Sequence, residues 1–253
     1  MAKAQYAILR FSKYKGPEIG RIEAHDERTK EKYASNPDVD TSRSALNFHL
    51  IQPEHSYREE AERQIAEAGC RVRSDSVRLV EVLIAGTPSF FKDKTQDAIK
   101  EYFEHALEFL RQKQRAETFV SAVVHLDEKT PHMHVTFVPL TEDNRLSAKE
   151  IIDNKAKLSQ WQSDYWTHMV SKYPDLERGE SADKTDRKHI PPRVFKEMTH
   201  LAKQSRKIEA VMDDANVFNA KGKLQEVEAL LERFIPSVER MQTQLDQYKV
   251  AFT

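Results

Sequence analysis

The sequence holds a single cysteine, Cys70, in 253 residues. An intramolecular disulfide is therefore excluded, and a reducing compartment suits the chain. No apolar run is long enough to cross a bilayer. The N-terminal stretch MAKAQYAILRFSKYKG lacks the apolar core of a signal peptide, so a cytoplasmic location is expected. There is no internal repeat and no low-complexity tract, which sets repeat architectures aside. Net charge is missing too: 40 Lys/Arg against 41 Asp/Glu give −1. That balance hides a local excess. From Lys184 to Lys207, eight basic residues (184, 187, 188, 193, 196, 203, 206, 207) face two acids (186, 197), a net of +6. Such a run is either a solvated face or a phosphate-binding flank.

Hydrophobic residues make up 39% of the chain and charged residues 32%. That composition describes a soluble protein of one large domain, or one domain with an extension. The most informative stretch is Val123–Leu140, VVHLDEKTPHMHVTFVPL. Strand formers flank a polar connection over Asp127–Pro131, which predicts an antiparallel hairpin. His132 and His134 are two residues apart and would share one face of a strand. If the hairpin closes, His125 comes alongside them. Three convergent imidazoles suit a divalent metal with open positions. Glu128 is open between a fourth ligand, an acceptor for an imidazole N–H and a solvated loop acid. Asp127 reads as a turn cap.

Along the chain, Ala4–Phe11 reads as a strand, and Lys13, Lys15, Gly16 and Pro17 as a turn. Ile19–Ala34 is helical or irregular, and Ser44–Ile51 is a second strand. Ser56 and Glu59 have capping-box spacing for a helix to Glu67, with Gly69 its stop. Ser76–Ala85 is a strand buried on both faces. Lys94–Gln114 is an amphipathic helix carrying Ile99, Tyr102, Phe103, Ala106, Leu107 and Leu110 on one face. Ser147 caps a helix through Lys155. A further helix, Leu158–Lys172, carries Trp161, Tyr165, Trp166 and Met169, read as core rather than as a stacking platform for bases.

This order predicts an α+β fold: a mostly antiparallel central sheet with helices packed on it, plus a C-terminal helical extension. The domain is expected over residues 1–195 and the extension over 196–253. In the extension Leu224, Val227, Leu231, Phe234, Val238, Met241, Leu245 and Tyr248 recur at alternating spacings of 3 and 4. That is a heptad seam of a candidate coiled coil, through which two copies would pair. Pro236 interrupts it, so two helices or one kinked helix are expected.

The stretch His125-x-Asp-Glu-x-x-Pro-His-x-His134 resembles the metal motif of the plasmid mobilisation relaxases of the Mob/Pre (MobV) family. These belong to the HUH endonucleases, U being a hydrophobic residue, here Met133. His25-Asp-Glu-Arg28 resembles the family's H-x-x-R motif. Ser42-Arg43-Ser44-Ala45-Leu46-Asn47 resembles its S-R-S-x-L-N segment, and Leu176-Glu177-Arg178-Gly179 a short later element. The resemblance covers roughly residues 1–200. It implies a metal-dependent enzyme that nicks one DNA strand at an origin of transfer by transesterification, leaving the 5′ phosphate on a histidine. His25 is the matching position. The family often has tyrosine where this chain has Phe48, which leaves Tyr33 and Tyr57 as rival nucleophiles.

On this reading Arg28 clamps the scissile phosphate, the alternative being a salt bridge, and Glu128 handles a proton. Asp26 and Glu27 are further proton-handling candidates, though neighbouring helical positions turn away from His25. His125, His132 and His134 hold Mn²⁺ or Mg²⁺, with Zn²⁺ as an alternative. Arg43 and Asn47 are DNA contacts or structural. Lys149, Arg187, Lys188 and Arg193 track phosphates. The implied partners are an origin-of-transfer hairpin with its adjacent single strand, and a coupling protein of a conjugation system. Rival readings are a rolling-circle replication initiator or transposase with the same metal site, a non-catalytic DNA-binding repressor, and a metal-dependent hydrolase of small molecules.

Overall fold

The computed structural model describes residues 4–30, 36, 38–179 and 192–251, with the backbone alone over 192–197 and 244–251. Two compact units result, Met1–Lys184 and Thr185–Thr253.

The first unit is built on a six-stranded sheet. Its strands are β1 (Tyr6–Lys15), β2 (Phe48–Ile51), β3 (Val77–Gly86), β4 (Phe119–His125), β5 (His132–Phe137) and β6 (Glu177–Arg178). They lie in the order β2-β4-β5-β3-β1-β6, and only the β1–β6 pair is parallel. The central strands β3, β4 and β5 are rich in Val, Ile, Leu and Phe, as strands covered on both faces must be.

Helices α4 (Gln96–Lys113) and α6 (Lys155–Val170) pack on one face. Their Tyr102, Phe103, Leu110, Tyr165 and Met169 meet Val80, Val82, Ile84, Met133, Val135 and Phe137 from the sheet. Trp161, Tyr165 and Met169 are core, as the helical spacing predicts. Phe103 is fully buried, and cutting it to Ala would cost about 3–5 kcal/mol. The other face carries α1 (Ile19–Asp26) and α2 (Tyr57–Glu67), whose Ile19, Tyr57, Ala61 and Ile65 pack on Leu79, Val120, Val138 and Leu140. Because side chains alternate along a strand, β5 sends Met133, Val135 and Phe137 to the first face and His132, His134 and Thr136 to the second. The two short helices are α3 (Pro88–Phe91) and α5 (Ala148–Ile152).

Several boundaries differ from the sequence expectation. β1 runs on to Lys15, because pairing with β3 satisfies its backbone through the lysines expected to turn. Ser44–Leu46, expected to open the second strand, belong instead to a 3₁₀ helix, Thr41–Leu46, capped by Asp40. The helix begun at Ser147 stops at Ile152, and Asn154 caps α6 anew. Ser56 and Glu59 form the expected capping box, and Gly69 leaves α2 with φ +63°.

The second unit pairs α7 (Pro192–Asp213) with α8 (Ala220–Ala251). α8 is one helix that runs through Pro236, which lies on its exposed side. The expected seam is only partly inward. Met241 is buried and Val227, Leu231 and Phe234 are half-buried, but Leu224 and Val238 are exposed and Ser237 is buried in their stead. A helix of 3.6 residues per turn drifts off a strict 3.5-residue repeat, so such a seam does not stay on one face. The Leu245 and Tyr248 side chains lie outside the described residues.

Candidate metal centre and active site

His125 and His132 end β4 and start β5, and they are direct partners across the hairpin. His134 lies two residues along on the same face. Ring centroids are 5.2 Å apart for His125–His132, 4.9 Å for His125–His134 and 5.0 Å for His132–His134. The last turn of α1 lowers His25 onto this group, 5.7 Å from His125 and 5.2 Å from His134. Four imidazoles thus gather from one hairpin and one helix end.

Each hairpin histidine has one ring nitrogen tied down. His125 Nε2–H donates to the Asp26 carbonyl at 2.8 Å, and His132 Nδ1–H donates to the Thr130 carbonyl at 2.9 Å. His134 Nδ1–H donates to Glu81 Oε1 at 2.5 Å. These acceptors fix the tautomers and leave His125 Nδ1, His132 Nε2 and His134 Nε2 as lone-pair bearers. His125 Nδ1 and His134 Nε2 are buried with no hydrogen-bond partner in the protein. Buried lone pairs without partners are costly, and a divalent cation satisfies them. The residues therefore fit a metal. Ligand atoms of His25, His125 and His134 lie within 4.8 Å of one another, as do those of His125, Glu128 and His132.

Electrostatics keep the His25, His125 and His134 rings neutral. Burial pulls His25 down to about 4, assisted by the Arg28 charge. Burial also pulls His125 and His134 far below the ordinary imidazole value, with neighbouring histidines and Arg28 adding to it. Neutral imidazole is the form that binds a metal or attacks an electrophile.

The loop joining the hairpin is held by one buried cation. Arg28 Nε and NH2 donate to the two Asp127 oxygens, each at 2.8 Å, and NH2 also donates to Glu128 Oε1 at 2.8 Å. Its NH1 donates to the His25 carbonyl at 2.8 Å and lies 3.5 Å from His25 Nδ1. Arg28 follows the helix rather than continuing it, with φ +53°, and its guanidinium still comes beside His25. A non-glycine residue in the left-handed region is strained, and the forked ion pair holds it there. Asp127 is fully buried. Burial would raise its carboxyl, but Arg28, Ser44 and Asn47 hold it well below the usual carboxylate range. Glu128 accepts from Asn36 Nδ2 at 2.9 Å, and its Oε1 lies 3.7 Å from His132 Nε2. It is an anchored acid beside a ligand nitrogen rather than a solvated one.

Arg43 is exposed and donates to the Leu126 carbonyl at 2.7 Å, while Asn47 Oδ1 accepts from Leu126 N–H at 2.7 Å. Both groups brace the hairpin end. Lys149 is exposed on α5. Arg187, Lys188 and Tyr33 lie outside the described residues, and Arg193 is described as α7 backbone alone. Tyr57 is fully buried, and its hydroxyl donates to Glu27 Oε1 at 2.7 Å. Burial raises its pKa far above the ordinary phenol, so Tyr57 is withdrawn from the surface and from attack. Glu27 is committed to Tyr57 and His49, away from the imidazoles.

Two participants, Glu81 and Tyr14, escaped the sequence reading, and a third, Asp26, entered it only as a proton-handling candidate. Glu81 bridges His134 and Tyr14, whose hydroxyl donates to Glu81 Oε2 at 2.7 Å. Asp26 is buried, with neither carboxylate oxygen hydrogen-bonded and Oδ1 3.6 Å from His134 Nδ1. Burial and the nearby Glu81 push the Asp26 carboxyl well above its ordinary range. The one available signal was an acid at position 81 in an otherwise apolar strand.

The α+β sheet and its bare imidazoles define a candidate histidine metal centre at the end of a hairpin. Comparison with known proteins says whose. The family model described as plasmid recombination enzyme, Mob_Pre, matches residues 3–197, and the chain belongs to that family. Plasmid recombination enzyme type 3 of Mammaliicoccus lentus is 37% identical over 199 residues, 77% of this chain and 48% of that protein. The chain thus spans about half the length of the curated relatives it matches. A Mn-bound crystal structure of the MobM relaxase domain with plasmid oriT DNA is 30% identical, with a TM-score of 0.70 over 76% of this chain and 97% of that one. A second Mn-bound complex of that domain, at pH 4.6, is 29% identical with a TM-score of 0.68, covering 76% and 98%.

Proposed function

We propose that this chain is a metal-dependent relaxase that nicks one strand at an origin of transfer, with His25 as the nucleophile. The observation that carries the reading is a fourth imidazole, held neutral, with a ligand atom within 4.8 Å of those of His125 and His134. A ring nitrogen of His25 attacks the scissile phosphorus and forms a P–N bond. The P–O3′ bond breaks, the 3′ oxygen leaves as a hydroxyl after taking a proton, and the 5′ phosphate stays on His25. A divalent cation held by His125, His132 and His134, Mn²⁺ or Mg²⁺ in preference to Zn²⁺, supplies polarisation of a non-bridging phosphate oxygen. The MobM relaxase domain binds Mn and oriT DNA, and it does so at pH 4.6, in keeping with imidazoles that resist protonation.

Arg28 acts through His25 rather than on the phosphate. Its charge is engaged by Asp127 and Glu128, and its NH1 holds the carbonyl of His25, so it sets where the helix end sits. Glu128 borders His132 and is the anchored carboxylate available for a released proton. Arg43 and Lys149 are exposed cations for the DNA backbone. With Arg187, Lys188 and Arg193 they would make binding fall steeply with salt. Pairing of two copies through α8 and docking on a coupling protein of a conjugation system belong to the same reading.

The test is incubation with a labelled origin-of-transfer oligonucleotide and Mn²⁺, followed by denaturing electrophoresis for a covalent adduct. His25→Ala should abolish the adduct and leave DNA binding intact. An adduct that survives in His25→Ala contradicts the nucleophile. Cleavage of a replication origin and not of a transfer origin points instead to a replication initiator.

A further inference from the structure

Of the hairpin histidines, His134 has the most elaborate anchoring. Its Nδ1–H meets two buried carboxylates, Glu81 Oε1 at 2.5 Å and Asp26 Oδ1 at 3.6 Å. Which one it bonds decides how the ring is turned and where Nε2 aims. Among the described residues nothing hydrogen-bonds the Asp26 oxygens, so that carboxyl group is a ready competitor. Glu81, in contrast, has its second oxygen engaged by the Tyr14 hydroxyl at 2.7 Å.

The sheet register makes this chain of contacts. Ser12 of β1 and Thr136 of β5 lie directly across from Glu81 on its two sides. Tyr14 and His134 are therefore its diagonal neighbours on the same face, within reach of long side chains. The Tyr14 ring packs on Leu79 and its cluster, so the hydroxyl is delivered at a fixed height.

We propose that Tyr14 is a positioning residue for the metal centre, pinning Glu81 so that His134 keeps Nε2 aimed at the other imidazoles. Tyr14 touches neither metal nor DNA in this role. It acts through Glu81 alone, and Glu81 acts through His134. Without the Tyr14 hydroxyl, Glu81 is freed to swing, Asp26 takes over the His134 N–H, and the ring turns. The inference rests on the metal-centre reading above, and it extends that centre to a strand two places away in the sheet.

The experiment is Mn²⁺ titration of the full chain without DNA, reading free Mn²⁺ by electron paramagnetic resonance. Loss of an outer hydrogen-bond partner of a metal ligand weakens affinity about 10–100-fold. Tyr14→Phe should fall about tenfold and Glu81→Ala further, and adding Tyr14→Phe to Glu81→Ala should cost nothing more. This non-additivity is what a relay demands and what an independent structural role would not give. Wild-type affinity in Tyr14→Phe overturns the inference alone. So does the same tenfold loss in both backgrounds, which marks a general packing defect. A wild-type chain that binds no Mn²⁺ overturns both the inference and the metal-centre reading.

Discussion

Among the described residues two histidine clusters stand out, and the contrast between them shows what makes one a candidate metal centre. His105 of α4 and His168 of α6 lie on the far side of the sheet, and with Glu108 their ligand atoms fall within 4.8 Å, as at the hairpin. Proximity alone does not separate the two. Orientation does. The His105 and His168 rings stack, 4.1 Å between centroids and 21° between planes. Each Nε2–H donates to the other residue's carbonyl, at 3.2 and 2.9 Å. A bound metal lies near the plane of each imidazole ligand, and two nearly parallel planes cannot both contain it. That pair is a clasp between helices. In the hairpin cluster the rings meet at steeper angles, 89° for His125–His132, 73° for His132–His134 and 50° for His125–His134, and the buried His125 Nδ1 and His134 Nε2 have no hydrogen-bond partner among the described residues.

The largest expected effect tests that contrast. His134→Ala should weaken Mn²⁺ binding by more than about 100-fold, whereas His168→Ala should leave it within about twofold; calorimetry on both variants distinguishes them. Equal losses would erase the distinction. Next comes Arg28→Ala, which strands buried Asp127 without its partner. Denaturant unfolding should show a loss of about 3–5 kcal/mol, and Arg28→Lys should recover only part, since lysine cannot fork across both oxygens. His168→Ala should cost less, about 1–2 kcal/mol by the same measurement, the scale of one or two hydrogen bonds.

The smallest effect is in pH. His25 is reactive when neutral, and burial pulls it down from 6.5 to about 4. At pH 5.5 roughly 97% of such a group is neutral, against about 9% of an ordinary imidazole. Nicking at saturating Mn²⁺ should therefore change less than about twofold between pH 7.5 and 5.5 and fall only toward pH 4. A tenfold drop by pH 5.5 would show His25 to be an ordinary, solvated imidazole.

What the sequence disclosed divides along the same line. The hairpin was legible because both its signals are local: strand formers around Asp127–Pro131, and a two-residue spacing that fixes one face. The capping box at Ser56 and the apolar stripe of α4 are local in the same way. His25 came from family resemblance, since no local pattern joins it to residues a hundred positions on. Glu81 and Tyr14 stayed hidden because their role depends on the β1–β3–β5 register, and Asp26 was named without its place beside His134 because that depends on where α1 lands. Arg28 does lie beside His25, but its fork onto Asp127 and Glu128 was not legible, because those partners stand about a hundred positions away. Tyr57 looked available only because burial of a tyrosine beside α1 cannot be read from its neighbours.

The central claim is that the helix end supplies the nucleophile and the hairpin the metal centre. Peptide mapping by mass spectrometry, on the covalent adduct formed with an origin-of-transfer oligonucleotide, measures this directly. The account predicts the nucleotide on His25, through a P–N bond that acid cleaves. An acid-stable adduct carried by a tyrosine would contradict it.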